Sequence, residues 1–235
     1  RALSGYEYEL ILVTEDIPNR TETTFEPLAD KYPIKLVHST GKVGPTVLAE
    51  LKEARGQVIG IIENEPQRSI ERIPQLLDAL EKGADIAIAS RYVPGGAIKG
   101  RNTGQKLLSS ITTSLARLVL PSVRRARDPL SGLFMLRKAV AEDLGQTTLG
   151  PRILLGTLAS GSNWQVREIP YVEEKQEARD KHRLRDVLSS LGQILALATR
   201  ERELRRFVQF GLVGLSGVGV NMGTFWFFTR IVELR

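Results

Sequence analysis

The chain is 235 residues long, 42% hydrophobic, free of cysteine, and carries a formal net charge of +6. That length suits one large domain or a domain with an appendage. The missing cysteine excludes disulfides, thiolate metal sites and cysteine nucleophiles. The positive charge points to an anionic partner, and nucleic acid, anionic lipid and phosphorylated substrate all satisfy it until the position of the charge is known.

Tyr8 to Val13 and Ile34 to Val37 read as strands, with a helix-permissive stretch from Thr21 to Tyr32 between them that Pro27 interrupts. Strand, helix, strand is the opening rhythm of an α/β sheet. At the carboxyl end of the first strand, where such sheets bind ligands, stand Thr14, Glu15 and Asp16. Glu15 and Asp16 suit a ribose or base, and they equally suit a plain turn. Gly41-Lys42-Val43-Gly44 precedes a helical stretch from Pro45 to Ala54. Lys42, Gly44 and a helix amino terminus together suit a phosphate, although the spacing is neither the dinucleotide nor the Walker pattern.

Gln57 to Ile62 forms an apolar run that ends in Glu63-Asn64-Glu65-Pro66-Gln67. On an extended chain residues i and i+2 share a face, so Glu63 and Glu65 point together. Paired carboxylates repel unless a cation or water separates them. Mg²⁺ or Mn²⁺ bridging Glu63, Glu65 and Gln67 to a diphosphate is the functional reading, because these hard ions take oxygen ligands and keep positions open for phosphates. A solvated acidic turn is the alternative.

Ser69 to Lys82 carries a helical stripe of Ile70, Ile73, Leu76, Leu77 and Leu80, closed by Gly83. Ile86 to Ala89 is a buried strand, and Arg91 falls just past its end, either as a cation for phosphate or as half of a structural ion pair. Pro94-Gly95-Gly96 and Gly100 to Gly104 mark a loop ahead of a helix from Gln105 to Leu120. Asp128-Pro129-Leu130-Ser131-Gly132 has ordinary turn chemistry and leads into the apolar Leu133 to Leu136. Lys138 to Leu144 and Pro151 to Ala159 read as helices, Val166 to Tyr171 as a last strand, and Glu173 to Arg185 as a charged, solvated loop.

From Leu184 to Arg206 the pattern is amphipathic, which suits core packing or a membrane surface. Phe207 to Phe228 has no charged residue, long enough for a transmembrane helix at about 1.5 Å rise per residue. Gly219 and Gly223 suit close helix packing. Arg200, Arg202, Arg205 and Arg206 stand before that span and Arg230 and Arg235 after it, an excess that puts the large domain on the cytoplasmic side. This placement accounts for much of the basic charge by lipid, and with no aromatic stacking platform in view it argues against a nucleic-acid partner.

The ordered succession of Ala89-Ser90-Arg91-Tyr92-Val93 with Gly95-Gly96, Asp128 to Gly132 with Phe134, Gly150 to Leu155, Glu168-Ile169-Pro170-Tyr171 and Arg206 to Gly214 resembles glycosyltransferase family 2. The match is to its polyprenyl-phosphate branch, similar to dolichol-phosphate mannose synthases with a GtrA-like membrane domain. The resemblance implies a GT-A fold, that is, a Rossmann-like, mostly parallel sheet flanked by helices over residues 1–183, an interfacial helix over 184–206, and the start of a membrane domain over 207–235. It implies an inverting hexosyltransferase with a nucleotide-sugar donor, GDP-mannose in the first place, a divalent metal and a polyprenyl or dolichyl phosphate acceptor. The family's metal-binding Asp-x-Asp falls on Glu63 and Glu65, and its phosphate-binding Arg on Arg91. An Arg-x-x-x-Ser falls on Gln105 and Ser109, and a basic run near the end of the domain on Arg179 to Leu184. Arg91, Ser109, Arg179 and Arg183 are thereby expected around the acceptor phosphate, Asp128 as an orienting group, and Glu65, Arg91 and Asp128 at the reacting centre. The chain departs from the pattern at Thr14, at Gln105 and in its longer glutamates. The family also has a strand ahead of Arg1, so the chain reads as a fragment or a divergent member.

Overall fold

The computed structural model describes residues 5–14, 32–39, 43–63, 67–144, 150–160, 163–174 and 183–199, and isolated positions between 216 and 224. It divides into two compact units, Arg1–Ile194 and Leu195–Arg235.

Strand β1 (Leu10–Thr14) pairs in parallel with β2 (Ile34–His38), Leu10 facing Ile34 and Thr14 facing His38. Helix α1 (Val43–Glu53) follows, and the Lys35 Nζ to Glu50 Oε2 bond of 2.6 Å ties it to β2. Strand β3 (Val58–Ile62) then enters a second sheet. After a 3₁₀ turn at Gln67–Arg72, helix α2 runs from Ile73 to Glu81. The sequence pattern places this helix from Ser69, but Pro74 has no N–H to donate back, so the regular helix starts only at Ile73.

Strand β4 (Ile86–Ser90) is buried along its whole length. A loop containing the short β5 (Ala97–Ile98) leads to α3 (Thr103–Val119), and a 3₁₀ turn at Pro121–Arg125 leads to β6 (Leu133–Arg137). Helices α4 (Lys138–Asp143) and α5 (Ile153–Ala159) precede β7 (Val166–Pro170), the short β8 (Val172–Glu173) and α6 (Arg183–Ala198).

The four-stranded sheet has the order β3-β6-β4-β7. Strands β4 and β7 are parallel, but β6 is antiparallel to both β3 and β4. Three of the four strands, β3, β4 and β7, thus run the same way and β6 alone runs against them, so the sheet is mixed. The reason is local: the Asp128 to Gly132 turn sits at the edge where β3 and β4 end, so the following strand has to run back between them. Their carboxyl ends and the amino end of β6 therefore share one rim, extended by the Glu63 N–H to Gly132 carbonyl bond of 2.7 Å.

Period-two alternation assigns the faces. Ala87, Ala89, Leu133 and Met135 join Ile73, Leu76 and Leu80 of α2 in one buried cluster. The alternate side chains Ile86, Ile88, Phe134 and Leu136 have no exposed surface. The small alanines of β4 let α2 approach closely. Burial of this kind stabilises by about 1.5–3 kcal/mol for each large side chain.

Among the described residues no helix is long and apolar enough to cross a membrane. The expected span from Phe207 to Phe228 lies outside them except for Ser216, Gly217, Asn221, Met222 and Thr224, all helical.

Candidate functional site

The shared rim carries two polar constellations. In the first, Arg91 lies one residue past β4 and Asp128 at the start of the turn into β6. Asp128 has no exposed surface. Its Oδ2 accepts from the Arg91 backbone N–H at 2.9 Å and from Nε at 2.8 Å, and its Oδ1 accepts from Nη2 at 2.7 Å. Arg91 Nη1 donates to Glu173 Oε2 at 3.2 Å, and Arg101 Nη2 donates to Glu173 Oε1 at 2.6 Å. Two guanidinium groups and two carboxylates thus neutralise one another in a largely buried site. Burial alone would loosen the Arg91 proton, but the Asp128 carboxylate, followed by Glu173, outweighs it and holds the guanidinium well above its ordinary range.

Asp128 is itself positioned from β7, where Glu168 accepts the N–H groups of Arg127 at 2.9 Å and Asp128 at 3.0 Å. Arg91 Cζ lies 5.4 Å from the centre of the Tyr92 ring. The Tyr92 hydroxyl in turn meets Ser109 Oγ at 3.1 Å. Ser109 on α3 is therefore linked through Tyr92 to the Arg91 cluster.

The loop from β4 to α3 is built for close approach. A side chain at Gly96 would place its Cβ 2.5 Å from the Ser90 carbonyl oxygen and 2.8 Å from the Arg91 carbonyl carbon. Both obstacles are backbone at the rim, so they cannot swing aside. Gly96→Ala is expected to destabilise the protein by about 1–3 kcal/mol, the usual cost of overpacking, read as a lowered urea midpoint.

The second constellation lies at the end of β3. Glu63 Oε1 accepts the Ile153 N–H at 3.1 Å, capping α5, and its Oε2 is 3.7 Å from Arg152 Nη1. Gln193 of α6 accepts the Arg152 N–H at 2.8 Å and donates to its carbonyl at 2.9 Å, and Gly150 is pressed against the same side chain. The segment from Gly150 to Leu155 is thereby fastened to the rim.

Of the residues expected from sequence, Glu63, Arg91, Asp128 and Ser109 are brought to this region. Gly44 is buried in the first turn of α1, Gln67 opens the 3₁₀ turn, and Arg183 opens α6. Glu15, Asp16, Lys42, Glu65 and Arg179 lie outside the described residues. Among the described residues no group of three or more His, Cys, Asp or Glu side chains is placed to hold a metal. Glu63, Glu65 and Gln67 together offer oxygen donors alone, which suits a hard divalent ion. In Glu63 itself, Oε1 is taken by the Ile153 N–H and Oε2 faces Arg152.

Sequence reasoning missed Glu173, Arg101, Glu168 and Arg152 as members of the site. Glu173 opens the stretch expected to be a solvated loop, yet it is 1% exposed. The overlooked signal was its place at the end of an apolar, strand-like run. Gln105, which stands where the family pattern has an arginine, has its own task. Its N–H donates to Asn102 Oδ1 at 2.8 Å and its side chain accepts the Asn102 N–H, a reciprocal cap on α3.

Comparison with known proteins places these features. The chain is 36% identical over 233 residues to a dolichol-phosphate mannosyltransferase of Pyrococcus furiosus, covering 98% of this chain and 66% of the relative. It is 26% identical over 183 residues to the polyprenol monophosphomannose synthase of Mycolicibacterium smegmatis, covering 73% of this chain and 68% of the relative. A dolichol-phosphate mannosyltransferase of Saccharomyces cerevisiae is 28% identical over 138 residues, 57% of this chain and 50% of the yeast protein. The chain thus spans only part of each relative, from half to about two thirds of its length. Among solved structures, glucosyl-3-phosphoglycerate synthase from Mycobacterium tuberculosis superposes with a TM-score of 0.56 at 14% identity, over 81% of this chain and 69% of that one. The same enzyme bound to Mn²⁺ and UDP-glucose gives 0.55 at 15% identity. That likeness shows a shared GT-A-like α/β fold. With the family's sequence pattern matching residues 1–145, the chain belongs to glycosyl transferase family 2.

Proposed function

We propose that this domain transfers a hexose, mannose from GDP-mannose in the first place, to a polyprenyl or dolichyl phosphate at the cytoplasmic face of a membrane. The observation that supports the reading is the buried Arg91–Asp128 pair past the carboxyl end of β4, with Glu63 at the end of β3, in a chain 36% identical to a dolichol-phosphate mannosyltransferase. Open α/β sheets hold their ligands at that edge.

The reaction is an inverting displacement. A phosphate oxygen of the acceptor forms a bond to the anomeric carbon as the bond from that carbon to the diphosphate oxygen breaks, and the nucleoside diphosphate leaves. A phosphate monoester has a second pKa of about 6, so it is already largely anionic near neutrality and needs no strong protein base. The chain's work is orientation and charge. Asp128 and Glu173 fix the direction of the Arg91 guanidinium, Tyr92 fixes Ser109, and Arg179 and Arg183 add positive charge around the acceptor phosphate. Glu15, Asp16, Lys42 and Gly44 serve the nucleotide. Glu63, Glu65 and Gln67 would hold Mg²⁺ or Mn²⁺, which when bound supplies charge neutralisation at the departing diphosphate. The apolar stretch from Phe207 to Phe228 anchors the domain beside its lipid substrate.

The test is mass-detected transfer from GDP-mannose to a polyprenyl phosphate. Product is expected only with Mg²⁺ or Mn²⁺, with activity lost on chelation and restored by the metal. Metal-independent turnover would reject the assignment. A second reading, a silent relative that binds nucleotide or a partner, is favoured by the internal satisfaction of Arg91 and Glu63. Calorimetric binding of nucleoside diphosphate and metal without turnover would select it.

A further inference from the structure

Glu63 meets the segment that opens α5 at two points, the Ile153 N–H at 3.1 Å from Oε1 and Arg152 Nη1 at 3.7 Å from Oε2. Both depend on how the Arg152 peptide is turned, and that is fixed from α6. Gln193 Oε1 accepts the Arg152 N–H at 2.8 Å while its Nε2 donates to the Arg152 carbonyl at 2.9 Å, so one amide side chain satisfies both backbone groups of a residue 41 positions away. Three residues earlier on the same helix, Ser190 Oγ accepts from Arg152 Nε at 3.2 Å and donates to the Asp186 carbonyl at 2.7 Å. Gln193 and Ser190 are both buried. A Cβ on Gly150 would stand 2.6 Å from Gln193 Cδ, so the bare backbone at that position is what admits the amide to its seat. The two bonds roughly offset the cost of burying and ordering a long amide, and what they add is direction.

We propose that Gln193 is a positioning residue for Glu63. It fixes the Arg152 peptide, and with it the Ile153 N–H and the Arg152 guanidinium, so that the Glu63 carboxylate keeps one orientation toward a divalent cation. A carboxylate has about four lone-pair directions, so the Ile153 bond sets its plane and leaves it able to act as a ligand. Groups that orient the ligands of a metal in this way are commonly worth about 10–100-fold in metal affinity. Gln193 acts at one remove, through a backbone segment, and touches neither the metal nor the nucleotide. The inference rests on the assignment of Glu63 to the metal made above, and it adds that the seating of α6 sets how well the metal is held.

The test is calorimetric binding of GDP to the full chain, in Mn²⁺ and again in EDTA, because the ratio of the two affinities reports what the metal contributes. Gln193→Ala is expected to lower that ratio about tenfold while the affinity in EDTA stays near its original value. Gly150→Ala leaves Gln193 in the sequence but pushes it from its seat, and it should lower the ratio in the same way. In the double variant the two losses should not add, since both act through one pair of hydrogen bonds. Val140→Ala, a buried change in α4 beyond the end of β6 that lies away from the rim, is the reference for lost stability alone and should leave the ratio unchanged. An unchanged ratio in Gln193→Ala, or equal losses with and without metal, would overturn the proposal and leave the metal assignment standing. Additive losses in the double variant would overturn it too, by showing that Gly150 and Gln193 act separately. A GDP affinity of the unaltered chain that Mn²⁺ does not raise would reject the metal assignment and this proposal together.

Discussion

Asp128→Asn is expected to destabilise the protein by about 3–5 kcal/mol, read as a lowered ΔG of unfolding in urea at an unchanged m-value. The asparagine keeps the shape of the side chain and removes its charge. Arg91 would then stay inside with its guanidinium answered only by Glu173, which is already shared with Arg101. Three donors converge on Asp128 from Arg91 alone, and an amide with one acceptor oxygen serves them poorly. Most of the loss is the cost of an uncompensated buried charge. A paired replacement, Arg91→Met with Asp128→Leu, should therefore recover much of the stability while giving no activity, since it removes the charge together with its partner. A loss below about 1 kcal/mol for Asp128→Asn would show that water screens the cluster as it screens a surface pair.

Glu65→Ala is expected to lower kcat/KM for sugar transfer by about a thousandfold, the rate equivalent of about 4 kcal/mol of charge stabilisation at the leaving diphosphate. Glu65→Asp separates charge from geometry. It keeps the carboxylate and shortens the arm by one methylene, toward the Asp-x-Asp spacing of the family. Mg²⁺ demands near-ideal octahedral ligation, so this variant should keep most of the activity and show an altered preference between Mg²⁺ and Mn²⁺. Full activity in Glu65→Ala would move the metal assignment away from this pair.

The strands and helices of the main sheet were legible because their signals are local. Val58 to Ile62 and Ile86 to Ala89 are apolar runs of strand length, and the Leu76, Leu77 and Leu80 stripe has helical spacing. Strand β6 was harder to see. Leu133 to Leu136 is as apolar as β4, but its direction depends on which edge the preceding turn occupies, and a one-dimensional pattern carries no direction.

The sequence by itself determined the family, the strand-end position of Glu63 and Arg91, and the concentration of arginines ahead of the apolar carboxyl-terminal stretch. Those features depend on residue type and spacing along the chain. Only the tertiary structure decided that Arg91 is shared between Asp128 and Glu173 and that Glu63 caps the helix beginning at Ile153. Arg91 and Glu173 are 82 residues apart, and Glu63 and Ile153 are 90. No local periodicity spans such separations, and burial of a charge becomes favourable only once the fold has brought its counter-charge to the same place.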